Sequence, residues 1–156
     1  MSVPELLEKL VGKWRGTNRL HTTWVPENPV RETVSVASVE LTARGRFLKI
    51  EYDWMFEETM QEGLILIGNE KDSDSIKAFW IDSWHLSDKF MVSEGARAAD
   101  GSISLKGFYA VPDHPDWGWR TVIESERDNA FKIVMYNASP EGEETLAVEM
   151  ELKRQS

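Results

Sequence analysis

Within the segment from Arg46 to Phe56, every second side chain from Leu48 onward is apolar. Leu48, Ile50, Tyr52, Trp54 and Phe56 fall on one side, and Lys49, Glu51 and Asp53 on the other. A period of two belongs to an extended strand with one buried face, since a helix would scatter these residues around its circumference. The alternation returns near the C-terminal end, where Leu146, Val148, Met150 and Leu152 interleave with Glu149, Glu151 and Lys153. Ile103, Leu105 and Tyr109 likewise oppose Ser104 and Lys106.

Turn signals punctuate the chain at short intervals: Pro26 to Pro29, Arg44-Gly45, Asn69 to Ser75, Asp100-Gly101, Pro112 to Asp116 and Pro140 to Gly142. They delimit about ten strands, over 12–24, 30–43, 46–56, 61–69, 76–84, 89–98, 102–111, 117–127, 130–138 and 144–154. Short connections without intervening helices predict an antiparallel meander. Its apolar face must be covered by closure into a barrel or by stacking as a sandwich. Helical spacing is confined to residues 1–11. There Ser2 and Glu5 have capping-box spacing, Pro4 suits an early helical position, and Leu6, Leu7, Leu10 and Val11 recur every three or four residues before Gly12. No linker, repeat or composition shift divides the chain, so residues 1–156 are expected to form one domain.

Charge and composition remove several function classes. Eighteen basic against 27 acidic residues give a net charge of −9, and such a surface repels phosphate backbones and anionic headgroups. Nucleic-acid and membrane partners are therefore not expected, whereas a homo-oligomer is compatible with the sequence. The absence of cysteine excludes disulfides, thiolate chemistry and zinc held by sulfur. The first residues lack the basic start and apolar run of a secretory signal, which makes the cytoplasm the expected compartment. His21, His85 and His114 show no close metal-pair spacing, so no metal or other cofactor is expected. Neither a phosphate-cradling glycine loop nor a nucleophile elbow is present.

Seven tryptophans are the compositional oddity. An indole N–H wants a partner when buried, so this number points to an aromatic core or to a stacking surface for a ligand. In Ile76 to His85, Lys77 marks the outward face, which turns Ala78, Trp80, Asp82 and Trp84 inward. Asp82 then lies between two indoles, either as a polar anchor for a ligand or as a structural carboxylate bonded to a Trp N–H or a backbone turn. His85 is a lone group at the rim, beside the loop from Pro112 to Asp116. On the first strand Trp14, Asn18, Leu20, Thr22 and Trp24 share a face. On the eighth, Trp117, Trp119, Thr121 and Ile123 form the more apolar face, with Arg120 and Glu124 outside. The opposite register would bring Arg120 into the lumen, where it could clamp an anion.

The opening Gly12-Lys13-Trp14 after a short helix resembles the Gly-x-Trp start of lipocalins and other calycins, in which helix and Trp close one barrel end. Three longer strings, Gly12-Lys13-Trp14-Arg15-Gly16-Thr17, Phe79-Trp80-Ile81-Asp82-Ser83-Trp84-His85 and Asp116-Trp117-Gly118-Trp119-Arg120, resemble a bacterial calycin-like family described only as a domain of unknown function. The resemblance implies an all-β fold: a single antiparallel up-and-down barrel of about ten strands with a short N-terminal helix. It carries no established activity and hence no catalytic positions. Nitrobindin-type haem barrels and fatty-acid-binding proteins are more distant likenesses. Thr17-Asn18-Arg19-Leu20 stands where nitrobindins continue with glycines, and Trp24 to Arg31 is too short and proline-rich for a two-helix lid.

Together these readings predict a barrel that binds a small hydrophobic or amphipathic molecule in an aromatic lumen. Its predicted lining is Trp24, Tyr52, Trp54, Trp80, Asp82, Trp84, His85, Tyr109 and Arg120. An enzyme using the same lumen, with Asp82 or His85 as acid or base, is one alternative. A module whose interior is packed solid is the other.

Overall fold

The computed structural model describes residues 2–156. The chain begins with a short helix, α1 (Val3–Leu7), continued by a 3₁₀ turn, Glu8–Leu10. The capping box forms as its spacing predicts: Glu5 N–H donates to the Ser2 hydroxyl, and Ser2 N–H to the Glu5 carboxylate at 2.8 Å. Ten strands follow: β1 (Gly12–His21), β2 (Val30–Thr42), β3 (Phe47–Phe56), β4 (Thr59–Asn69), β5 (Ile76–Asp82), β6 (Met91–Arg97), β7 (Ile103–Val111), β8 (His114–Arg127), β9 (Ala130–Ala138) and β10 (Glu144–Arg154). Each pairs antiparallel with its sequence neighbours, and β1 also pairs with β10. The sheet closes as a barrel, which removes the edges a sandwich would leave. No helix among the described residues is long and apolar enough to cross a membrane.

Up-and-down order sends the two sets of connections to opposite ends. α1, the 3₁₀ turn and the hairpins at 43–46, 70–75, 98–102 and 128–129 gather at the end where β1 begins. There the interior is packed with aliphatic side chains: Leu10, Leu48, Ile50, Ile67, Ile103, Leu105, Ile123, Ile133 and Leu152 are all at most 2% exposed. Each contributes about 1.5–3 kcal/mol through burial. Trp14 lies among them, fully buried. Its Nε1–H donates to the Leu10 carbonyl at 2.8 Å, and its ring meets Phe131 edge-on at 4.6 Å. The Arg154 guanidinium sits 4.4 Å over the indole and donates to the Val11 carbonyl at 2.9 Å, tying the last strand to the helical plug. The wall fits tightly here too. A methyl group at Gly16 would overlap the Glu151 carbonyl, so only glycine lets β1 approach β10 at this point.

Two strand ends differ from the alternation. β1 stops at His21, because Thr22 turns the chain: its hydroxyl donates to the Asn28 carbonyl, and its own carbonyl accepts from Val25 N–H. Trp24 is therefore 69% exposed in a turn and lies outside the lumen. β5 stops at Asp82, where a strap over 83–90 begins.

Candidate functional site

The other barrel end is built from different side chains. On its inner face β3 contributes Tyr52 and Trp54, β5 Trp80 and Asp82, β7 Tyr109, and β8 Trp119. The strap adds Trp84 and His85. Asp82 is the hub, with 2% of its surface exposed. Its Oδ2 accepts from the Tyr52 hydroxyl at 2.7 Å and more loosely from Trp54 Nε1–H at 3.4 Å. Its Oδ1 accepts from the backbone N–H groups of Trp84 and His85, both at 2.9 Å. Those two bonds form the turn that ends β5 and starts the strap. Trp80 Nε1–H donates to the Tyr52 oxygen at 2.9 Å, which extends the chain of bonds by one indole.

The electrostatics follow from this geometry. Burial pushes the Asp82 carboxyl up, but the adjacent His85 ring, the His85 backbone N–H and the Tyr52 hydroxyl outweigh it and hold the group below its ordinary value. Asp82 is thus a buried carboxylate at neutral pH. Burial, reinforced by this charge, pushes Tyr52 well above the usual tyrosine value, so its hydroxyl keeps its proton. Space for the phenol comes from the neighbouring strand. Gly63 pairs with both Tyr52 and Asp82, and a methyl there would overlap the Tyr52 ring.

His85 is enclosed by four indoles. Its ring centroid lies 4.8 Å from that of Trp84, 5.5 Å from Trp54 and Trp119, and 5.7 Å from Trp80. Its side chain is 10% exposed, and Nδ1 is 3.2 Å from Asp82 Oδ1. That contact is close enough for attraction but lacks hydrogen-bond alignment, and neither ring nitrogen has a partner. The buried Nε1–H of Trp119 has none either. Trp119 stacks on Trp80 at 5.4 Å with 17° between the planes.

Both unpartnered rings border a cavity of about 640 Å³. Trp80 and Tyr109 also line it, as do Leu86 and Phe90 of the strap, Met91 and Phe108. It lies where the wall is loosest. β6 and β7 pair only between Glu94–Arg97 and Ile103–Lys106, so Met91 to Ser93 and Phe108 to Val111 form no rungs with each other. Phe90 and Phe108 stand at the opening, 62% and 60% exposed. A groove of about 580 Å³ crosses the outer wall beside Lys13, Glu51, Asp53 and Glu62. It is open to solvent, and none of the buried unpartnered nitrogens borders it.

Of the residues predicted to line the lumen, Tyr52, Trp54, Trp80, Asp82, Trp84 and His85 converge on this end, and Tyr109 borders the cavity. Trp24 does not, for the reason given above. Arg120 points outward in the register that the apolar face of β8 favours. It pairs with Glu144 at 2.7 and 3.0 Å and lies 4.4 Å over Tyr136, which corrects its assignment to the lumen. Trp119 was legible as an inward residue but not as an unpartnered donor. Leu86, Phe90, Met91 and Phe108 carried no such signal: the strap has no period, and Phe108 sits on the outward face of its strand.

The fold has a counterpart of known structure. An S-type phycobiliprotein lyase, CPES, from Guillardia theta superposes with a TM-score of 0.63 over 100% of this chain and 94% of that one, at 18% identity. At that identity the likeness establishes the calycin-like barrel alone. No curated protein matches the sequence significantly. Residues 2–154 match the family described as "Protein of unknown function (DUF1579)". With that match spanning nearly its whole length, the chain belongs to this family.

Proposed function

We propose that this protein is a small-molecule-binding barrel that takes an apolar or amphipathic ligand into the cavity between the strap and the β6–β7 gap. One observation carries the reading: a cavity of about 640 Å³ at the open end is walled largely by rings, those of Trp80, His85, Phe90, Phe108, Tyr109 and Trp119. The volume lies within the roughly 300–1,000 Å³ of small-molecule sites. The structural neighbour is named as a lyase, so a barrel of this shape serves an enzyme there.

A second reading makes His85 an acid or base, and the proximity of Asp82 to Nδ1 favours it. Geometry supports binding more directly, because both oxygens of Asp82 are already engaged by Tyr52, Trp54 and the backbone of the strap. The packed-module reading fits the closed end, where aliphatic side chains fill the interior, but not the end that holds the cavity.

A titration with Nile red, a neutral apolar dye, tests the proposal. Binding should be saturable and should quench tryptophan emission. The double variant Phe90→Ser/Phe108→Ser changes only exposed rings, so its circular dichroism should match the parent while its affinity falls about tenfold. Unsaturable binding, or equal affinity in the variant, would count against the cavity.

A further inference from the structure

The outer wall of the barrel is not polar throughout. On the solvent side of β4, β5 and β6 the rung Leu66–Phe79–Val92 is wholly apolar, and Leu64 pairs with Ile81 two positions along. Phe90, at the end of the strap, joins this face by stacking on Phe79, with 5.0 Å between centroids and 26° between planes. A solvated sheet face ordinarily carries polar side chains at such positions. Here Ile81 is 40% and Val92 55% exposed. With Phe90 and with Phe108 of β7, they present roughly 400 Å² of apolar surface to solvent. A standard interface takes about 800 Å² from each partner, somewhat more than half of it apolar. The face therefore holds close to the apolar share of one dimer interface.

The charges beside it point to the partner. On one flank Lys77 and Glu94 pair with each other, and Lys106 stands one rung further, on β7. On the other flank Lys49 and Glu51 pair, and Glu62 lies on β4 just beyond Leu64. One flank thus ends in a cation and the other in an anion. A two-fold axis running along the apolar face exchanges the flanks, which sets Lys106 of each copy towards the partner's Glu62. Much of the net charge of −9 lies elsewhere: Glu57, Glu58, Asp113, Glu141 and Glu143 sit in turns at the open end. We infer that this face is the interface of a symmetric dimer, and that its occupant is a second copy of this chain.

Sedimentation velocity on the full chain over a concentration series tests the inference. A saturable monomer–dimer equilibrium should end at twice 17.9 kDa. Val92→Lys sets like charges against each other within the apolar contact and should weaken the dimer about a hundredfold. Lys106→Glu and Glu62→Lys, both on the surface, should each weaken it about fivefold, and the two together should restore it to within about twofold. These surface changes keep the test decisive even if Val92→Lys folds poorly. None of the three residues borders the cavity beside the strap, so the Nile red titration can succeed or fail independently. A monomer up to about 100 μM, association that grows past the dimer, or a dimer indifferent to Val92→Lys overturns the inference. So does a double charge exchange that dimerises no better than either single one.

Discussion

Asp82→Ala should lower the unfolding free energy by about 3–5 kcal/mol, measured by urea denaturation at pH 7. The carboxylate accepts from the Tyr52 hydroxyl, the Trp54 indole and two backbone N–H groups, at a position 2% exposed. Alanine leaves those donors without their acceptor in a hollow at a buried position. Asp82→Asn keeps one accepting oxygen but turns an N–H₂ toward donors, and should lose about 2–3 kcal/mol. The pH dependence has a definite sign. Asp82 has a lower affinity for protons in the folded protein than in the unfolded chain, so its contribution is complete above its unfolded value. It is lost as the pH falls from there through the still lower folded value. Tyr52 works in the other direction. Its raised value makes its contribution complete below the ordinary 10.0 and lost as the pH climbs beyond it. The alanine variant should therefore lose part of the parent's acid limb and keep an alkaline one. An unfolding free energy within about 0.5 kcal/mol of the parent would show that the hub does not hold the open end together.

Trp14→Ala should be equally damaging through a different mechanism, costing about 3–5 kcal/mol. The indole is fully buried, bonded to Leu10 and flanked by Phe131 and Arg154. Its removal leaves a hollow among rigid strands that cannot collapse, and it strands the guanidinium that sat over the ring. Deleting residues 1–10 should destabilise by the same route, since it uncovers the parts of β3 and β4 on which α1 packs. An unchanged midpoint in both variants would mean that the helix and the Gly-x-Trp opening are incidental to closure.

The fold was legible because each barrel strand repeats the same simple physics. Alternation and turn residues located all ten strands, with ends displaced by a few positions. Trp24 shows where that reasoning stops: period two extends only while the backbone stays extended, and Thr22 redirects the chain through its hydroxyl. Trp84 shows the reverse. It leaves strand geometry, yet it packs against Trp54 at 5.7 Å because the Asp82 carboxylate fixes the turn that carries it. The sequence marked Asp82 as a carboxylate among indoles, and its bonds to Trp54 and to the turn match the structural alternative raised for it. It could not reveal Tyr52 as the principal partner, because that contact spans two strands and depends on the absent side chain of Gly63. The cavity was the least legible part, since it arises where β6 and β7 fail to pair, and no residue pattern records an unmade ladder.

The two ends divide the work of the barrel: aliphatic packing closes one, and an aromatic network with unpartnered nitrogens shapes the other. That division makes the indole N–H region of a ¹H–¹⁵N spectrum the sharpest readout, because the seven indoles are spread between the ends and the surface. On titration with Nile red, the Trp119 and Trp80 signals should move with saturation, and the Trp14 signal, bonded to Leu10 at the plugged end, should stay fixed. Movement confined to the exposed Trp24, or none at any indole while the probe is shown to bind, would contradict a ligand site at the open end.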